Sequence, residues 1–106
     1  MLKKVRRRYL ALSIDSPEKF EAKDVMDAVW NAVLKLYGEY GASKTGLRLI
    51  DYDVEGKTAI IRTAHATLEM VRAAIASITH ISNKPAALHV IMVSGTIKAL
   101  HKKLKT

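Results

Sequence analysis

Apolar and polar residues alternate with period two over residues 9–14, which sets Leu10, Leu12 and Ile14 on one face of a predicted strand. Asp15-Ser16-Pro17-Glu18 is turn chemistry and ends it. The period then changes. Over 22–37, Val25, Val29, Ala32, Val33 and Leu36 recur at helical spacing as a core-facing stripe. Gly38 offers a C-terminal stop, and 41–46 reads as a loop. Two strands follow, over 47–52 and 57–63. The hairpin turn Asp53-Val54-Glu55-Gly56 joins them, with Gly56 suited to a left-handed position. Leu68, Val71, Ile75 and Ile78 mark a second helix over 66–79, broken by Asn83-Lys84-Pro85. Residues 87–93 form a fourth strand, and Ile97, Leu100 and Leu104 lie at helical spacing in a short last helix.

This order is the split βαββαβ pattern of an α+β, ferredoxin-like or RRM-like α/β sandwich, with an added C-terminal helix. In that topology the first and fourth strands are antiparallel neighbours. The chain's start would then meet the turn at Gly95. Both sheet faces look apolar. Ala59 and Ile61 oppose Ile60 on strand three, and Leu88, Val90 and Met92 oppose Ile91 and Val93 on strand four. A sheet with one wet face would be polar on one side, so the last helix is expected to cover the second face.

At 106 residues the chain is read as one domain, 1–106. It has no cysteine, which excludes a disulfide scaffold and thiolate zinc sites. No apolar run approaches 18 residues, and the apolar stretch after the basic start is too short for a signal peptide, so a cytoplasmic location is expected. The net charge of +8 is concentrated. Residues 1–8, a basic arm, hold five Lys or Arg, and the basic helix over 95–106 holds four; neither segment has an acidic residue. The other nine basic residues face all ten acidic ones.

Terminal charge of this kind points to phosphate contact, the alternative being solvated tails. A membrane role is disfavoured, because the last helix is short and lacks an aromatic anchor. Ser94-Gly95-Thr96-Ile97-Lys98 is a strand-to-helix turn. Either it presents free N–H groups and Lys98 to an anion, or Ser94 or Thr96 simply caps the helix. Strand three carries no aromatic residue to stack on bases, leaving Tyr9 as the one candidate near the basic patch. Met26, Trp30, Leu34 and Tyr37 form a second apolar line on the first helix, either a partner interface or a helix buried all round. Asp51, Asp53 and Glu55 read as a solvated turn rather than a metal site. His65, His80, His89 and His101 show no ligand spacing, and no catalytic constellation is present.

Four segments resemble one family. Val93-Ser94-Gly95-Thr96-Ile97-Lys98 followed by Lys102-Lys103 is similar to its terminal segment, and Arg7-Arg8-Tyr9-Leu10 to the start of its first strand. Ala28-Val29-Trp30-Asn31-Ala32 with Gly38 and Gly41 is similar to its first helix and the loop after it. Thr58-Ala59-Ile60-Ile61-Arg62 is similar to its third strand. The family is ribonuclease P protein component 2, archaeal relatives of a eukaryotic ribonuclease P/MRP subunit. The resemblance implies an RNA-binding subunit of a holoenzyme that removes the 5′ leader of precursor tRNA. Catalytic groups and magnesium ions would belong to the RNA, and the protein would bind no cofactor itself. Its partners would be ribonuclease P RNA, protein component 3 and other subunits. On this reading Arg6, Arg7, Arg8, Tyr9, Gly95, Thr96, Lys98, Lys102 and Lys103 contact RNA, while Met26, Trp30, Leu34 and Tyr37 face a partner. The competing expectation is a ferredoxin-like ligand-binding or regulatory domain with incidental basic tails.

Overall fold

The computed structural model describes residues 6–104, without the Lys103 side chain. Lys3, Lys4 and Lys105 of the basic ends therefore lie outside the described residues. Strand β1 (Arg7–Asp15) is followed by helix α1 (Ala22–Ser43) and the hairpin β2 (Arg48–Asp53) and β3 (Thr58–Ala64). A 3₁₀ turn (His65–Thr67) leads into α2 (Leu68–Ala76). The small hairpin β4 (His80–Ile81) and β5 (Lys84–Pro85) comes next, then β6 (Ala87–Ser94) and α3 (Ile97–Leu104). The main sheet runs β2-β3-β1-β6, every neighbouring pair antiparallel. This is the expected α+β arrangement, with the first and last strands side by side.

Alternation explains the two layers. Leu10, Leu12, Ile14, Ala59, Ile61 and Leu88 point to one face, where Val25 and Val29 of α1 and Val71 and Ile75 of α2 complete the core. The other face carries Ala11 and Ile60, which Leu100 of α3 covers. The C-terminal helix thus fills the role its stripe predicts, but unevenly. Leu100 is fully buried, Ile97 is half-buried, and Leu104 is 40% exposed.

Four local expectations change. First, both edge strands are bulged, one residue apart along the sheet. The register of β6 against β1 shifts between Ala11 and Leu12, leaving Ile91 unpaired. The register of β2 against β3 shifts between Leu49 and Asp51, leaving Ile50 unpaired. The extra residue in β6 reverses the alternation beyond it, so Val93 joins the core with Val90 while Met92 packs beneath α3. Second, Gly38 interrupts α1 without ending it. Its φ of 74° and ψ of 178° fall in a region open essentially to glycine, and the helix resumes to Ser43. Leu36, expected in the core stripe, is 48% exposed. Third, Gly56 does not take the left-handed position; Lys57 does, at φ 52°. Gly56 instead makes room for the Asp53 carboxylate, which accepts its N–H at 3.0 Å and sits where a Cβ would be. Fourth, the second helix starts at Leu68 and stops at Ala76, and the predicted break is a two-residue hairpin. Ser82 and Asn83, at φ 50° and 66°, occupy its turn.

Candidate nucleic-acid interface

Pairing of Tyr9 with Ser94 brings Arg7 and Arg8 beside the Gly95 turn, as the topology predicts. The two segments touch: a Cβ built on Gly95 would lie 2.9 Å from Nη1 of Arg8, so the guanidinium crosses the glycine. Alternation divides the arginines. Arg7 shares the face of Tyr9 and α3, while Arg8 shares the face of Leu10 and is half-buried. Arg6 is exposed, and its carbonyl accepts the His65 N–H at 2.7 Å. Thr96 is the cap of α3, its hydroxyl accepting the Ala99 N–H at 3.1 Å. Ser94 accepts the Thr96 N–H at 3.4 Å. Lys98 and Lys102 are exposed on α3, and Lys103 lies in the helix with its side chain outside the description. Tyr9 is half-buried against Ala11, Ile60 and Leu100, which limits it as a stacking platform.

Gly95→Ala separates the glycine's role from the fold's stability. The obstructing atom ends a flexible side chain, so the expected result is a melting temperature close to that of the parent protein. Arg8 must swing away, and if the turn meets RNA as the sequence leads one to expect, RNA affinity falls severalfold. Thermal melting and filter binding on the same preparation check both parts.

Charge is polarised along the strands. The start of β1, the end of β3 and the end of β6 lie at one end of the sheet, with Arg6, Arg7, Arg8 and Lys98. The opposite end gathers Asp15, Glu18, Glu21, Asp24, Asp53 and Glu55. All three ion pairs among the described residues join groups at that acidic end: Lys19–Glu55 at 2.8 Å, Lys84–Glu18 at 3.6 Å and His89–Asp15 at 3.7 Å. The hairpin carboxylates work separately. Asp51 accepts the Tyr52 N–H, Asp53 the Gly56 N–H, and Glu55 pairs with Lys19. Tyr52 donates to the Phe20 carbonyl, and burial, then the Asp24 carboxylate, raise its phenol above the ordinary value. Among the described residues no three His, Cys, Asp or Glu side chains converge to hold a metal.

Two further cations stand at the basic end, and the sequence pattern does not single them out. Arg62 of β3 pairs with both Tyr9 of β1 and Arg48 of β2, so all three share the α3 face. Beneath them a buried threonine network ties loop to sheet. The Thr63 hydroxyl donates to the Thr45 carbonyl at 3.0 Å, and Thr63 and Thr67 share a hydrogen bond of 3.1 Å. The Ala64 N–H also donates to the Thr45 carbonyl, at 2.7 Å. Such satisfied buried networks hold a surface rigid. The signal in the sequence is a basic residue near the end of each hairpin strand, but only the register shows that they meet.

The profile of the Rpp14/Pop5 family matches residues 8–105. The chain belongs to that family. It is 34% identical to ribonuclease P protein component 2 of Pyrococcus furiosus over 92% of this chain and 82% of the relative. It is 33% identical to the protein of the same name from Methanosarcina mazei, over 94% and 84%. In structure it is similar to a chain of yeast ribonuclease MRP, with a TM-score of 0.74 over 99% of this chain and 95% of that one, at 16% identity; this likeness is one of fold.

In this Rpp14/Pop5 member the second apolar line of α1 divides. Met26 and Leu34 turn toward the protein's own clusters. Trp30 and Tyr37 stay exposed, at 39% and 38%, and Leu36 and Tyr40 join them. The Lys44 ammonium lies 4.3 Å from the Tyr40 ring centroid, a cation–π contact at the end of the helix. No helix among the described residues is long and apolar enough to cross a membrane.

Proposed function

We propose that this chain is a protein subunit of ribonuclease P that binds and orders the catalytic RNA, so that the holoenzyme removes the 5′ leader of precursor tRNA. The observation carrying this reading is the basic end of the sheet. There, two segments remote in sequence join around Gly95, with no ion pair among the described residues to neutralise them. Family membership and the names of the relatives support it. The chemistry belongs to the RNA and its magnesium ions. The protein lowers repulsion between two polyanions, catalytic RNA and substrate, by placing cations at their phosphates. The exposed Trp30, Leu36, Tyr37 and Tyr40 of α1 are the surface assigned to protein component 3, because aromatic residues anchor interfaces.

The test is precursor tRNA cleavage by the cognate ribonuclease P RNA at low magnesium with component 3, with and without this chain. Cleavage is expected to depend on adding it. No dependence, with the other parts shown to be active, rejects the cofactor role and brings forward a regulatory domain with incidental basic tails.

A further inference from the structure

The two terminal segments do not exhaust the basic end. Across the α3 face, Arg48, Arg62 and Tyr9 stand in register on β2, β3 and β1, and Arg7 lies two residues before Tyr9 on the same face. Neighbouring strands are about 4.8 Å apart, so Arg48 and Arg62 emerge side by side and Arg7 lies on the diagonal. Like charges directly opposite one another destabilise a sheet. No ion pair among the described residues offsets this pair, because none of the three involves Arg48, Arg62 or Arg7. The nearest carboxylate on that face along β2, Asp51, is engaged with the Tyr52 N–H. The Arg62 side chain is also not fully satisfied within the protein: its Nε is buried and has no hydrogen bond. A buried donor without an acceptor is costly and calls for an explanation. The threonine network of Thr45, Thr63 and Thr67 fixes the backbone beneath this row.

Resting on the RNA-binding reading, we propose that Arg48, Arg62 and Arg7 form a phosphate-binding floor on the α3 face of the sheet. On it an RNA strand lies by its backbone, with no base stacking. The occupant is a polyanionic backbone because the row offers planar guanidinium donors suited to phosphate oxygens. Stacking is excluded from the role because the one aromatic in the row, Tyr9, is half-buried beside α3. The floor widens the interface from the β1–β6 edge to β2, across the sheet. It explains the uncompensated pairing: an anion bridging Arg48 and Arg62 removes their repulsion.

The experiment uses the full chain and a transcript of the cognate ribonuclease P RNA, with affinity measured against salt concentration. The double variant Arg48→Gln/Arg62→Met keeps the aliphatic stem at 62 and removes both charges. The control, Lys23→Gln/Lys84→Gln, removes the same charge from the acidic end. The floor predicts a slope of log K on log [salt] lower by about 1.4–1.8 units in the double variant, at roughly 0.7–0.9 for each phosphate no longer neutralised. The control is expected to keep the parent slope, and Arg62→Lys with Arg48 intact to keep most of it. The double variant's melting temperature is expected to equal or exceed that of the parent protein. Parent-like slopes in the double variant overturn the floor and leave RNA binding by the terminal segments standing. An equal loss in the control also overturns it, since net charge alone then explains binding. A parent protein with no salt-dependent RNA affinity removes the RNA-binding reading itself, and the floor with it.

Discussion

Replacing Arg6, Arg7 and Arg8 with alanine is expected to lower the salt slope of RNA binding by about 2–3 units, at roughly 0.7–0.9 for each phosphate left without its arginine. At physiological salt this corresponds to an affinity about a hundredfold weaker, because each phosphate–arginine pair contributes less than one decade. The three side chains are not equivalent. Arg6 and Arg7 are exposed, and truncating them removes charge with little packing. Arg8 is half-buried across Gly95, so its alanine variant also removes the stem that lies there. Single variants are therefore expected to rank by slope, not by melting temperature, with Arg8 alone showing both effects. Salt titration of RNA binding beside thermal melting checks this. An unchanged slope in the triple variant removes these arginines as phosphate ligands.

Leu100→Ala is expected to have the largest effect on stability, about 2–5 kcal/mol, the usual range for a fully buried leucine. Leu100 is wholly buried between the sheet and α3, against the Ala11 and Ile60 cluster. Its helix is eight residues long, too short to persist without docking. Ile97 is half-buried and Leu104 is 40% exposed, so Leu100 is the anchor. The variant is expected to lose hydrogen-exchange protection in α3 before the rest of the fold opens. RNA affinity is expected to fall with it, because Lys98 and Lys102 no longer sit at a fixed place. Denaturant unfolding with residue-level exchange measures both. A loss under about 1 kcal/mol, with α3 amides still protected, contradicts the anchor role.

Periodicity makes the element order legible, because period-two and helical stripes follow from which face each residue buries. The clustering of charge at the chain ends is equally visible. What periodicity misses is an inserted residue. Ile50 and Ile91 look like ordinary apolar strand positions, yet each is the extra residue of a bulge, and the one at Ile91 turns Met92 and Val93 to the faces opposite those expected. Gly38 and Gly56 both read as turn glycines. Glycine serves equally for a positive φ and for a close approach, and the residue type does not say which applies. Arg48 and Arg62 are illegible for another reason. Their proximity depends on the register between β2 and β3, which the sequence expresses only through the whole pattern of the hairpin. Thr96 as the cap of α3 is one of two readings, and the Ala99 N–H bond selects it.

The paired bulges have a further effect on how the protein meets its neighbours in a crowded particle. An open sheet has two margins where backbone N–H and C=O groups point outward and invite a foreign strand. Here β2 and β6 are those margins, and each is kinked, by Ile50 and by Ile91, on either side of the Ala11–Ile60 pair. On β2 the Asp51 carboxylate also takes up the Tyr52 N–H. A straight strand laid along either margin would lose register halfway. Such an outline resists fibrous stacking of one copy on another and turns RNA and protein partners toward side chains, where charge and shape can tell them apart.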